Sequence, residues 1–239
     1  MSAEGLHERR AVAATSCRIL AHRGLVQGVL GHVSLRVDDD ALLVRCRGRR
    51  ERGVAWTEPD DIRLVGFDGR HLEPSDGWTP PAELPIHTAV LRGRPDCNAV
   101  VHAHPPAAVA CGLAGLELRP VFGAYNLPAM RMALAGVPVY PRSVLIRRDE
   151  LAEEMLAVLA DRRVCLLRGH GIVAAGETLE EATVAAVNLD ELCRMTLELG
   201  RLGASPPVVP PEDLAELPDL GNRFNDELAW RSLVADLGR

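Results

Sequence analysis

The chain has 239 residues, 47% of them hydrophobic and 25% charged, a composition that suits one sizeable folded core and excludes global disorder. With 27 Lys and Arg against 33 Asp and Glu, the formal charge is -6, so there is no basic excess to attract nucleic acid. No apolar run approaches the roughly 20 residues of a membrane helix, and the opening MSAEGLHERR has no apolar signal core, so a soluble, cytoplasmic protein without membrane partners is expected.

In chain order, Glu4 to Arg23 reads as a helix closed by Gly24. His32 to Val37 and Ala41 to Cys46 read as two strands joined across Asp38, Asp39 and Asp40, and Ile62 to Phe67 as a strand running into a tight Asp68-Gly69 turn. Pro81 to Arg94 carries a helix. Asn98 to His104 is a compact strand stopped by Pro105 and Pro106, which is expected to put its histidines at a sheet edge. Val137 to Tyr140, Asp149 to Leu159 and Val164 to Leu167 repeat a strand, helix, strand rhythm. Leu179 to Gly200 is the longest helix, with Thr178 as N-cap and Glu181 completing a capping box. This alternation predicts a layered α/β fold.

Ala204 to Pro211 holds four prolines and reads as a stiff spacer before a short amphipathic helix at Asn225 to Leu237, giving a body at 1–203 and a Pro-rich linker with helical arm at 204–239. The six cysteines form no Cys-x-x-Cys pair and read as reduced, buried thiols. His7, His22 and His71 read as surface or packing residues, and Tyr125, Tyr140 and Trp230 as packing ones.

The chemistry concentrates at a few positions. His102 and His104 are two apart in a strand, so the pleat turns both rings to one face, close enough to share a cation. His170 stands between Gly169 and Gly171, which let the backbone bend sharply and deliver a third imidazole. Three neutral imidazoles with an open position describe a catalytic divalent site, whereas a structural site is closed by four protein ligands. Glu83, at a helix entrance, is a candidate fourth ligand or acid/base group, and His87 lies one helical turn beyond it on the same side, facing the pocket.

Four segments carry a resemblance to a known family: Gly31 to Arg36 (GHVSLR), Glu83 to His87 (ELPIH), Arg94 to Pro105 (RPDCNAVVHAHP) and Leu167 to Ile172 (LRGHGI). Over roughly Glu4 to Gly200 the chain resembles the class II aldolase and adducin family. The resemblance implies a single-domain three-layer α/β/α sandwich, a homotetramer, His102, His104 and His170 as metal ligands, and Glu83 as the acid/base residue. One divalent cation per subunit is implied, Zn2+ or Mn2+, with Fe2+ or Co2+ as alternatives.

The chain departs from the sugar phosphate members of that family. His32 stands where they carry a phosphate-binding Asn, Arg45 to Arg49 and Trp56 to Pro59 replace a Thr-rich turn, and Pro81 and Ala82 replace two serines. Donors for a phosphate are therefore missing. Arg36 and Arg45, from an arginine-rich stretch, are the expected carboxylate binders, since a guanidinium fork grips a carboxylate at two points.

This pattern, with Gly136 to Ile146 and Leu217 to Asp226, resembles the decarboxylase branch, which acts on hydroxylated aromatic dicarboxylates such as 3,4-dihydroxyphthalate. The implied reaction is metal-dependent decarboxylation of a small carboxylate in aromatic catabolism, with Glu83, then His32, as proton donors and His87 lining the pocket. Two other readings stand beside it: a class II aldolase for an unphosphorylated hydroxy carbonyl compound, and a non-catalytic adducin-like interaction module.

Overall fold

The structure is a computed structural model that describes residues 3–221 and 223–238. Asn222, within the tail stretch singled out above, lies outside the described residues. Helix α1 (Ala3–His22) leads into β1 (His32–Arg36), β2 (Ala41–Arg45) and β3 (Ile62–Gly66), then α2 (Leu84–Gly93), β4 (Ala99–Ala103), α3 (Pro106–Ala114), α4 (Leu127–Leu134), β5 (Val139–Tyr140), α5 (Asp149–Leu159), β6 (Val164–Leu167), β7 (Gly171–Gly176) and α6 (Leu179–Arg201). Two short C-terminal helices follow, α7 (Pro211–Glu216) and α8 (Ala229–Asp236), the second preceded by a π-helical turn at Arg223–Leu228. Of these elements α3, α4, β7 and α7 are absent from the sequence reading.

The strands form one sheet in the order β3-β2-β1-β4-β7-β6-β5, and only the β5–β6 pair is parallel. Side-chain alternation splits the core between its two faces. Val33, Leu43, Val101 and Ala174 pack under α1, α3, α4 and α6, while Val44, Val100, Val173 and Cys165 pack under α2 and α5. The result is the expected three-layer α/β/α sandwich. All six cysteines are buried and free. No helix among the described residues is long and apolar enough to cross a membrane.

Local chemistry explains the element boundaries. Pro85 and Pro106 occupy first-turn positions of α2 and α3, where a missing N–H costs nothing. Asn126 caps α4 by accepting from Ala129 N at 3.0 Å, and Thr178 caps α6 by accepting from Glu181 N at 3.1 Å. The capping box expected at Glu181 does not close, because its carboxylate accepts instead from Glu177 N at 3.1 Å and pairs with Arg163. Beyond the Asp68-Gly69 turn the chain returns only as an isolated bridge from His71 to Val65.

Residues beyond 203 run along the body. Val209 N donates to Pro120 O at 3.0 Å, Arg119 donates to Pro206 O at 3.1 Å, and Arg131 donates to Pro218 O at 3.1 Å. Tyr140 is buried as expected of a packing residue, but Tyr125 is 76% exposed. Its ring touches only Phe122 among the described aromatic residues.

The position of the histidine pair departs from expectation. β4 is the fourth of seven strands, so His102 and His104 lie at the end of the central strand and not at a sheet edge. This placement is bought with glycine: a Cβ on Gly171 would collide with the Ala103 carbonyl and sit 2.7 Å from the His104 ring. Gly171→Ala is expected to cost about 1–3 kcal/mol by overpacking. At about 2–4 °C per kcal/mol for a chain of this size, a thermal melt should show a midpoint lowered by about 2–12 °C.

Candidate metal centre

Three separate segments deliver one cluster. His102 is the penultimate residue of β4, with His104 just past the strand, and the β6–β7 turn supplies His170, held by its own N–H to Leu167 O at 3.0 Å after Gly169 at φ 63°. Glu83 immediately precedes α2. One ligand atom from each of Glu83, His102, His104 and His170 falls within 4.8 Å of all the others.

The hydrogen bonds define which atoms face inward. His102 Nδ1 donates to Ile172 O at 2.9 Å, so the neutral ring carries its proton there and leaves the Nε2 lone pair free. That Nε2 lies 2.9 Å from His104 Nε2 and 3.5 Å from Glu83 Oε2, which in turn lies 3.4 Å from His170 Nε2. Ile146 N donates to the other Glu83 oxygen at 2.8 Å and fixes the carboxylate.

The electrostatics suit a cation. Burial, then the neighbouring His102 and His170, push His104 down to about 3, so its imidazole is neutral at neutral pH, the form that ligates a metal. Burial works against the charge of Glu83, yet its contacts with His102 and His170 outweigh that and hold the carboxyl well below the usual carboxylate range.

Both ring nitrogens of His170 are buried without a hydrogen-bond partner. At most one proton fits between His102 and His104, and Glu83 Oε2, at 3.4 Å from Nε2, is the charged group His170 meets. A divalent ion bound by one nitrogen of each ring and by the carboxylate would take up these lone pairs, so the donor set, three imidazoles and one carboxylate, fits a divalent metal ion.

His32 is the cross-strand partner of His102, their rings 5.0 Å apart, but it stands outside the four-residue cluster. His87 does not line the pocket. It is fully buried, with Nε2 2.7 Å from His32 Nδ1 and Nδ1 2.7 Å from Ser34 Oγ, so both its nitrogens are spent inside the protein. Burial, followed by His102, pushes His87 down to about 3, and burial, followed by His87 and His102, holds His32 well below its ordinary value.

The two arginines named from the sequence are not brought to the cluster. Arg36 lies four residues beyond His32, about 13 Å along the strand. Its guanidinium bonds to the Leu91 carbonyl at the end of α2, to Cys97 O at 3.4 Å and to Asn98 Oδ1 at 3.1 Å. Arg45 is on the opposite face from His32, since Ser34 pairs with Val44, and is buried against Thr57 Oγ1 at 3.0 Å and Glu51 at 2.6 Å. Sequence reasoning missed Ser34, although the same two-residue period that joins His102 to His104 puts Ser34 beside His32.

Metal analysis of the purified protein is expected to give about one divalent ion per chain, with His170→Ala retaining less than a tenth of it. Saturating metal at a hundred times its dissociation constant should raise stability by about 2.7 kcal/mol over the chelated protein, read as a midpoint shift of about 5–11 °C. Arg36→Ala is expected to lower stability by about 1.5–3 kcal/mol through its lost carbonyl contacts while leaving metal content and KM unchanged.

Residues 11–197 match the Class II Aldolase and Adducin N-terminal domain. The chain is 52% identical over 229 residues to a 3,4-dihydroxyphthalate decarboxylase of Arthrobacter keyseri, covering 95% of this chain and 92% of that one. It is 49% identical to a protein of the same name from Terrabacter sp. (strain DBF63), covering 98% and 99% of the two chains. A crystal structure of an aldolase II superfamily protein from Pseudomonas syringae superposes with a TM-score of 0.82, at 21% identity and covering 100% of this chain and 95% of that one, which shows a common fold. The chain belongs to the class II aldolase and adducin family, on its decarboxylase branch.

Proposed function

We propose that this protein is a metal-dependent carboxy-lyase that removes CO2 from 3,4-dihydroxyphthalate or a close hydroxylated aromatic dicarboxylate. The observation that carries the reading is near-full-length identity of 52% and 49% to proteins so named. In this reading His102, His104 and His170 hold one divalent ion. Bound there, the ion supplies Lewis-acid stabilisation of negative charge on substrate oxygen.

The remaining roles fall to the chain itself. Glu83, fixed through one oxygen by Ile146 N–H, turns Oε2 toward the histidines; a carboxylate at rest, it takes the proton of a substrate hydroxyl and delivers it to the ring carbon, where the electron pair left by the broken C–CO2 bond forms the new C–H bond. Burial of Glu83 and His102 excludes water and strengthens their interactions. Arg36 and Arg45 are occupied elsewhere, so the carboxylate that stays on the ring is held by other groups.

The wider organisation follows the same reading: a catalytic body at 1–203, a C-terminal arm at 204–239, a cytoplasmic location and a homotetramer. Exposure of Trp56 and Tyr125, at 63% and 76%, supports assembly, since large exposed aromatic residues are typical interface anchors.

Purified protein supplied with Mn2+ or Zn2+ is expected to release CO2 from 3,4-dihydroxyphthalate, and chelation to abolish it. Glu83→Gln should lower kcat about a hundred- to ten-thousandfold. Absence of CO2, with aldehyde or pyruvate formed from unphosphorylated hydroxy carbonyl compounds, would replace this reading with an aldolase; no metal and no activity would favour an interaction module.

A further inference from the structure

Five histidines gather at one end of the sheet, and the hydrogen bonds divide them into two kinds. His102 and His32 are register partners on β4 and β1, yet their second nitrogens meet different groups. His102 Nδ1 faces the Ile172 carbonyl, which only accepts, and this leaves Nε2 as a lone pair for a cation. His32 Nδ1 faces another imidazole, His87 Nε2, at 2.7 Å, so its tautomer depends on what fixes His87.

What fixes His87 is Ser34. Its hydroxyl is fully buried one pleat along from His32, and the His87 ring is its hydrogen-bond partner, Oγ to Nδ1 at 2.7 Å. A hydroxyl carries one proton to give and lone pairs to spare. If His87 Nδ1–H donated to Ser34, the hydroxyl proton would have no acceptor in a buried setting. If Ser34 donates to His87 Nδ1, that proton is matched, the proton of neutral His87 sits on Nε2, and Nε2–H donates to His32 Nδ1. The single proton of neutral His32 is then on Nε2.

We infer that Ser34 and His87 are positioning residues that hold His32 as its Nε2–H tautomer, making His32 a hydrogen-bond donor to an anionic oxygen of the substrate and not a fourth imidazole ligand. The substrate half of this inference rests on the function proposed above; the tautomer half does not. The two halves together explain why His32, although ring to ring with His102 at 5.0 Å, stands outside the ligand cluster. They also give α2 two tasks, since it is entered at Glu83 and presents His87 one turn later.

The test uses full-length, Zn2+-loaded protein labelled with 15N-histidine. In long-range 1H–15N spectra, the signals lost in His32→Gln are expected to show a protonated Nε2 and a lone-pair Nδ1. Ser34→Ala should convert them to a mixture of tautomers, with zinc content unchanged. In decarboxylation assays Ser34→Ala should lower kcat/KM about ten- to a hundredfold, mostly through KM, and Ser34→Thr, which keeps the hydroxyl, should restore it.

A proton on His32 Nδ1 in the wild-type protein, or His32 signals indifferent to Ser34→Ala, overturns the tautomer assignment. The assigned tautomer with an unchanged KM in Ser34→Ala overturns the donor role. If wild-type protein releases no CO2, the proposed reaction fails, and the spectra still decide the tautomer by themselves.

Discussion

Four atoms bearing lone pairs or negative charge, all within 4.8 Å of one another, make an arrangement that no unfolded chain would adopt, and much of this fold serves to impose it. The imposition comes from hydrogen-bonded ladders and sterics. Strand β4 is paired on both sides, to β1 and β7, so the direction of His102 is set by two ladders at once. Across the β6–β7 turn, Gly171 approaches the Ala103 carbonyl more closely than any side chain permits, and this brings His170 onto the same spot. Helix α2 closes the set by entering at Glu83.

The polar groups around that point are used almost without surplus. The Ile172 carbonyl and the Ile146 N–H, both backbone groups, orient a ring and a carboxylate. Arg36 and Arg45 show the opposite use of charge. One guanidinium ties the end of α2 to the turn before β4, and the other is sealed beneath α1 against Thr57 and Glu51. Both guanidinium groups are bound to protein oxygen, with Arg45 buried and Arg36 half-buried.

Much of this was legible in the residues. The period of two in His102 and His104 and the glycines around His170 pointed to the three imidazoles, the alternation of helical and strand-like runs to a layered α/β fold, and the family resemblance supplied Glu83's place beside them and the three-layer sandwich. What stayed hidden has physical reasons. β7 runs from Gly171 to Gly176 with only Ile172 and Val173 as strong strand formers, and its length is set by pairing with both neighbours. Helices α3 and α4 are short, and α3 is led by the prolines that signal a stop to the preceding strand. A guanidinium in a sequence advertises charge but not the oxygen it has already found, so Arg36 and Arg45 read as free when they are not. His87 was placed on the correct side of its helix, but depth is invisible to periodicity.

The central rank of β4 has a consequence for how the molecule breathes. Local opening in proteins runs from fraying ends toward the most enclosed strands, whose amides exchange only when the whole molecule comes apart. His102 therefore sits in the most enclosed register of the sheet, while the tail from residue 204, fastened by a few carbonyl contacts, belongs to the end that opens first. Disturbance of the tail leaves His102 in place, and displacement of that histidine reports on the integrity of the whole sheet.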